Sequence, residues 1–167
     1  MLLAGREILP GTGHAEGRVL LGQLYKYRTG QEMPPVAVTP KGKPYFEESS
    51  IHFSITHTKR HVFCVLADAP VGIDAEEENR EIDLRLAEKI LSPNEYSQYL
   101  AAEEKRLALL TFWVLKEAFV KCSGEGLTGY PRDTDFSLSD PRVMRHNGCL
   151  IAIISADCSL PEVVDPQ

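Results

Sequence analysis

Three side chains of unlike chemistry recur one helical turn apart in residues 111–121, TFWVLKEAFVK. Trp113, Glu117 and Lys121 stand at successive i, i+4 positions, so an aromatic ring, a carboxylate and an ammonium line one face of a helix. Leu109, Phe112, Leu115, Phe119 and Val120 make that helix apolar around much of its circumference, which predicts that it is largely buried. A buried helix that keeps a Glu and two lysines needs a reason for them. One reason is an i, i+4 pair between Glu117 and Lys121 with Lys116 in solvent; the other is a reactive site. A second acidic cluster, VGIDAE at residues 71–76, favours the site. In a strand, Asp74 and Glu76 point to the same side. Two carboxylates on one face repel unless a cation lies between them. Hard oxygen ligands of this kind suit Mg²⁺ or Mn²⁺, which bind through a few carboxylates, waters and substrate phosphates. Taken alone, VGIDAE reads equally well as an exposed acidic strand end, since Glu77 and Glu78 follow at once.

The elements that must position these groups can be read outward from them. The apolar run HVFCVLA at residues 61–67 and the VGIDAE stretch read as two strands joined tightly across Asp68, Ala69 and Pro70. A strand over residues 51–56 turns Ile51, Phe53 and Ile55 inward and delivers His57 to its end. Before it, Pro34, Pro35 and Pro40 hold the chain extended, and Lys41, Gly42, Lys43 and Pro44 form a basic turn. Residues 18–27 carry Val19, Leu20, Leu24 and Tyr27 at helical spacing, and Thr29-Gly30 ends that helix. Residues 5–17, rich in glycine and without periodicity, read as a loose lead-in. Downstream, residues 82–90 and 93–110 read as two helices, the second opened by Ser92 as N-cap, Pro93 in the first turn and Glu95 as its capping-box partner. Gly124 stops the helix that carries residues 111–121, at the segment Cys122-Ser123-Gly124-Glu125-Gly126. Residues 136–138 and 150–154 read as strands joined through the turn His146-Asn147-Gly148, and the tail 159–167 reads as frayed.

Taken together, Gly72-Ile73-Asp74-Ala75-Glu76 and Trp113-Val114-Leu115-Lys116-Glu117-Ala118-Phe119-Val120-Lys121 resemble the phosphopantetheinyl transferases of the Sfp type. Their pattern is a G-[IV]-D-x-E strand followed by W-x-x-K-E-[AS]-x-x-K. KGKPYF at residues 41–46 looks like the family's G-K-P segment. FSITHT at 53–58 looks like its S-x-S-H-[ST] strand end, with Ile55 and Thr56 in place of the usual pair. LSPNEYSQYL at 91–100 resembles F-x-x-x-E-x-x-x-L, a pattern that would put Glu95 near the metal, although capping already accounts for it. Five such pieces in the right order are far more specific than any one of them.

The resemblance implies an α+β fold, antiparallel strands with a long helix packed across them, in two unequal, pseudo-duplicated lobes: a shortened first lobe (1–70) and a second (71–167) bearing the metal and helix motifs. It implies transfer of 4'-phosphopantetheine from coenzyme A to a serine of an acyl or peptidyl carrier protein, with release of adenosine 3',5'-bisphosphate. Asp74, Glu76 and Glu117 would hold Mg²⁺ or Mn²⁺, and Glu117, or a metal-bound water beside it, would take the serine proton. Lys121 would steady the pyrophosphate or the departing phosphate, His57 would donate from the opposite side, and Lys41, Lys43 and Thr58 would complete the coenzyme site. Lys116 points about 100° away from Glu117, which leaves its role open.

Composition bounds the alternatives. The 167 residues, 43% apolar and 25% charged, describe an ordinary globular chain. Cys64, Cys122, Cys149 and Cys158 form no C-x-x-C pair, so neither a zinc site nor a disulfide framework is expected, and reduced thiols fit a cytoplasmic protein. No secretory leader or membrane-spanning run is visible, and no membrane partner is expected. A net charge of −6 argues against a nucleic-acid partner and against a metal-dependent nuclease, whose Glu and Lys are usually two apart on a strand. It also means that an acidic carrier must be met by a local patch, for which Arg80, Arg85 and Lys89 are candidates. A carrier- or coenzyme-binding module without catalysis is the other alternative, motivated by the short first lobe. Such a lobe would also expose apolar surface that a second copy, in a homo-oligomer, could cover.

Overall fold

The computed structural model describes residues 1–124 and 133–166. The chain runs through strand β1 (Leu2–Glu7), helix α1 (Gly13–Thr29), a hairpin of β2 (Val36–Val38) and β3 (Pro44–Phe46), and strands β4 (His52–His57), β5 (His61–Ala67) and β6 (Val71–Glu77). A 3-10 turn (Leu84–Leu86) and helices α2 (Ala87–Ile90), α3 (Pro93–Ala101) and α4 (Lys105–Ser123) follow, then strands β7 (Val143–His146), β8 (Cys149–Ser155) and β9 (Glu162–Val163). One sheet has the order β4-β5-β1-β9, antiparallel except for the β1–β9 pair, and a second has the antiparallel order β6-β8-β7. The α+β class expected from the sequence is the one observed.

Strand β5 is an unbroken apolar run because both of its faces are covered. Val62, Cys64 and Leu66 pack under α1 against Leu20, Leu21 and Leu24, while Phe63, Val65 and Ala67 meet Ile73, Ile151 and Ile153 of the other sheet. Strand β8 is sandwiched in the same way, with Ala152 and Ile154 turned to α4. The layers are therefore helix, sheet, sheet, helix. Along β6 the period of two places Val71, Ile73 and Ala75 between the sheets and leaves Gly72, Asp74 and Glu76 for the face toward α4. Gly72 is required there, since a Cβ would collide with the Ala118 carbonyl oxygen and the Cys122 nitrogen of α4. Helix α4 thus lies directly on the strand that carries the paired carboxylates.

Each half of the molecule repeats one topology: a strand, a helix, then a hairpin whose second strand pairs antiparallel beside the first. In the first half these are β1, α1, β4 and β5, and in the second β6, α4, β7 and β8. The duplication lies in topology rather than in sequence.

Several expectations are corrected. Residues 5–17 are not a loose lead-in, because β1 lies between β5 and β9 and α1 already begins at Gly13. Gly13 and Gly17 continue the buried stripe Leu20, Leu21, Leu24 and Tyr25, while Val19 and Tyr27 are exposed. A Cβ at Gly13 would come 2.5 Å from the His57 ring and one at Gly17 2.9 Å from Ile55, so these glycines mark close packing of α1 on β4. Strands β5 and β6 follow each other closely in sequence but belong to different sheets. In β4, Ser54 and Thr56 are buried along with Phe53, because that face meets β6. The helix expected over 82–90 is reduced to the 3-10 turn and α2, and that expected over 93–110 breaks between α3 and α4, where Lys105 caps the last carbonyls of α3.

Residues 136–138 form no strand. The Phe136 N–H is taken by Glu95 Oε1, and Gln98 answers the Phe136 carbonyl and the Leu138 N–H, so this backbone is satisfied by α3 side chains. The hairpin partner of β8 is instead β7, turned at Asn147 and Gly148 with φ of 51° and 71°. The tail contributes β9, paired in parallel with β1. Glu125 and Gly126 lie outside the described residues.

Candidate active site

A cleft of about 620 Å³ opens where the two halves meet. Its walls are the start of α1 (Gly13, His14, Arg18), the β2–β3 hairpin, the end of β4 (Thr56, His57), the Asp74–Glu76 segment of β6, and Lys121 of α4. Among the residues expected to act, His57, Asp74, Glu76 and Lys121 face this one space. Glu117, Lys41 and Lys43 line an adjoining pocket of about 360 Å³, which shares Lys121 with the cleft.

Asp74 is the centre of the arrangement. It is only 6% exposed, and its Oδ1 accepts from Lys121 Nζ at 2.6 Å and from Thr56 Oγ1 at 3.1 Å. Its Oδ2 is buried and has no hydrogen-bond partner among the described residues. Lys121 therefore pairs with Asp74 across the strand–helix contact, where an i, i+4 pair with Glu117 was one sequence expectation. Two residues along β6, Glu76 is held by a salt bridge to Arg80 and by a hydrogen bond from Trp113, and the Arg80 guanidinium lies 5.6 Å from the centre of the Trp113 ring. Burial pushes the Glu76 carboxyl up to about 7, with Asp74 adding to the rise and Arg80 and Lys121 opposing it. Burial and the Asp74 charge likewise raise Glu117, against Lys121 and Arg80.

Asp74 thus lies within reach of both Glu76 and Glu117, whose carboxyls are driven upward, and its buried Oδ2 has no hydrogen-bond partner among the described residues, an oxygen donor left for a cation to use. Asp74, Glu76 and Glu117 supply the hard oxygen donors that Mg²⁺ or Mn²⁺ takes. Among the described residues no three His, Cys, Asp or Glu side chains are gathered closely enough to hold a metal as they stand. The Lys121 ammonium supplies the positive charge on Asp74.

Two of the expected coenzyme ligands are engaged elsewhere. Lys43 Nζ donates to the Cys122 carbonyl at 2.7 Å and so caps the end of α4; burial holds its ammonium below the ordinary range. The Thr58 hydroxyl donates to Glu77 Oε1 at 3.2 Å and accepts from the Arg60 and His61 N–H groups, which closes the β4–β5 turn. His57 is exposed at the cleft, its ring 4.9 Å from that of His14 in an edge-on contact.

Glu95 and Lys116 lie outside the site. Both side chains are 0% exposed and pair at 2.8 Å; Lys116 is not in solvent. Glu95 completes the capping box with Ser92 as expected, and its other oxygen takes the Phe136 N–H.

A family model described as the 4'-phosphopantetheinyl transferase superfamily matches residues 70–154, which span β6, α4 and the β7–β8 hairpin. The chain belongs to this superfamily. A phosphopantetheinyl transferase of Bacillus pumilus, psf-1, is 40% identical over 90 residues, covering 52% of this chain and 38% of that protein. A Bacillus subtilis 4'-phosphopantetheinyl transferase is 31% identical over 126 residues, covering 70% of this chain and 55% of its own length. The chain thus spans between about a third and somewhat more than half of these curated relatives. The crystal structure of the Thermotoga maritima holo-[acyl-carrier-protein] synthase is similar at 27% identity and a TM-score of 0.43, over 51% of this chain and 61% of that one.

Three side chains at this site were not among the residues expected to act in it. His14 sits in the first turn of α1, in a stretch that glycine makes look irregular. Thr56 is visible only as a departure from the family pattern. Arg80, a sequence candidate for the carrier-facing patch, pairs with Glu76 and lies over the Trp113 ring.

Proposed function

We propose that this chain transfers 4'-phosphopantetheine from coenzyme A to a serine of an acyl or peptidyl carrier protein. The observation that carries the proposal is the convergence of Asp74 and Glu76 from β6 with Glu117 and Lys121 from α4, beside a cleft that also holds Arg18 and His57. Asp74, Glu76 and Glu117 would hold a divalent cation, whose chemistry when bound is to neutralise the pyrophosphate of the coenzyme.

The remaining work falls to the protein. The serine oxygen attacks the β-phosphorus, the bond from that phosphorus to the bridging oxygen breaks, and adenosine 3',5'-bisphosphate leaves. Glu117, which lines the adjoining pocket beside Lys121, takes the serine proton directly or through a water beside it. Lys121 is close enough to Asp74 to turn from it toward the pyrophosphate, and His57 and Arg18 face the same cleft with donor groups. Lys43 ties the end of α4 to the β2–β3 hairpin at the edge of the adjoining pocket.

The test is the mass of a purified apo carrier protein after incubation with this chain, coenzyme A and Mg²⁺, beside a chelated control. A gain of one phosphopantetheine, absent with chelator, is expected. No gain across several carriers, with coenzyme binding also absent, would reject the proposal; binding without transfer would leave a silent binding module.

A further inference from the structure

Thr56 belongs to the first sheet, yet its hydroxyl serves the second. Thr56 Oγ1 donates to Asp74 Oδ1 at 3.1 Å, and Lys121 Nζ reaches that carboxylate oxygen at 2.6 Å and Thr56 Oγ1 at 3.4 Å. Thr56 and Asp74 are both buried, and Asp74 Oδ2 has no partner among the described residues. One carboxylate oxygen is thus doubly held and the other is offered. A few residues away, Ser54 Oγ accepts the Ile73 N–H at 3.2 Å, a second tie that fixes β4 against β6 and sets Thr56 opposite Asp74.

The two groups on Oδ1 differ in stiffness. Lys121 stands on a flexible four-carbon stem, while Thr56 is β-branched on a paired strand and has little rotamer freedom. When Lys121 turns to an anionic substrate, Thr56 is the remaining described donor to Oδ1. We propose that Thr56 is a positioning residue, whose hydroxyl orients Asp74 so that Oδ2 meets a divalent cation. This rests on the reading of Asp74 as a metal ligand.

The experiment is a Mn²⁺ titration of the full chain followed by the electron paramagnetic resonance of free Mn²⁺, with no coenzyme present. Thr56→Val should weaken Mn²⁺ binding about tenfold, Thr56→Ser should stay within about twofold of wild type, and Asp74→Asn should lose binding. Wild-type affinity in Thr56→Val, with binding lost in Asp74→Asn, overturns the role of Thr56 and leaves the metal reading intact. A loss in Thr56→Ser equal to that in Thr56→Val also overturns it, since the methyl rather than the hydroxyl would then matter. No uptake by the wild type, or unchanged uptake by Asp74→Asn, overturns the metal reading and this role with it. Circular dichroism checks each fold, and Thr56→Ala replaces Thr56→Val if the latter does not fold.

Discussion

Lys116 and Lys121 leave the same helix, and each ends on a carboxylate, Glu95 at 2.8 Å and Asp74 at 2.6 Å. The first pair is sealed and complete: Glu95 Oε2 takes Lys116 and the Ser92 N–H, Oε1 takes the Phe136 N–H, and Lys116 also donates to the Thr134 carbonyl. The second pair lies at a cleft, and one buried oxygen of it has no partner among the described residues. Similar distances therefore serve different ends. A carboxylate with a donor on each of its oxygens fastens elements together, whereas one with an oxygen left short of a donor is ready for a ligand.

The sharpest way to break this contrast is Asp74→Ala. Transfer should fall at least about a thousand-fold, while the circular dichroism and the melting temperature stay near wild type; full transfer by this variant would remove Asp74 from the chemistry. Lys116→Met should do the reverse. It strands a buried carboxylate and should cost about 3–5 kcal/mol in urea unfolding, with the folded fraction still competent for transfer. Lys121→Met leaves the buried Asp74 carboxylate with Thr56 as its described donor, so it should cost less stability than Lys116→Met but slow transfer by about two orders of magnitude.

A pH series gives the smallest effect. The Glu76 carboxyl lies above its unfolded value, so the folded state holds more protons between the two. Stability of the metal-free chain should therefore fall as pH rises toward about 7, and Glu76→Gln should flatten that slope in thermal melts. An equal slope in the variant would place the titrating group elsewhere.

Apart from His57, which rests on the family resemblance, the groups facing the cleft that were legible in the sequence have a relation internal to one element. Asp74 with Glu76, and Glu117 with Lys121, follow from the periods of a strand and a helix. His14, Thr56 and Arg80 were not legible as site residues, because each gains its place only when segments distant in sequence meet. The glycines at 13 and 17 misled for a related reason. An apolar-periodicity reading gives a glycine no weight, yet here each marks the point where a helix presses onto a strand. Residues 136–138 show the same limit, since a strand-like composition says nothing of side-chain amides that replace the ladder.

The absent side chain at Gly72 fixes a dimension. With backbone resting on backbone, the separation between the D-x-E strand and the E-x-x-x-K helix is set by van der Waals radii rather than by a rotamer, and it cannot drift as side chains exchange around it. The two halves of the carboxylate set are thereby gauged against each other like parts on a common stop. Any larger residue at that position would act as a shim, opening the strand–helix spacing and detuning a site it does not touch.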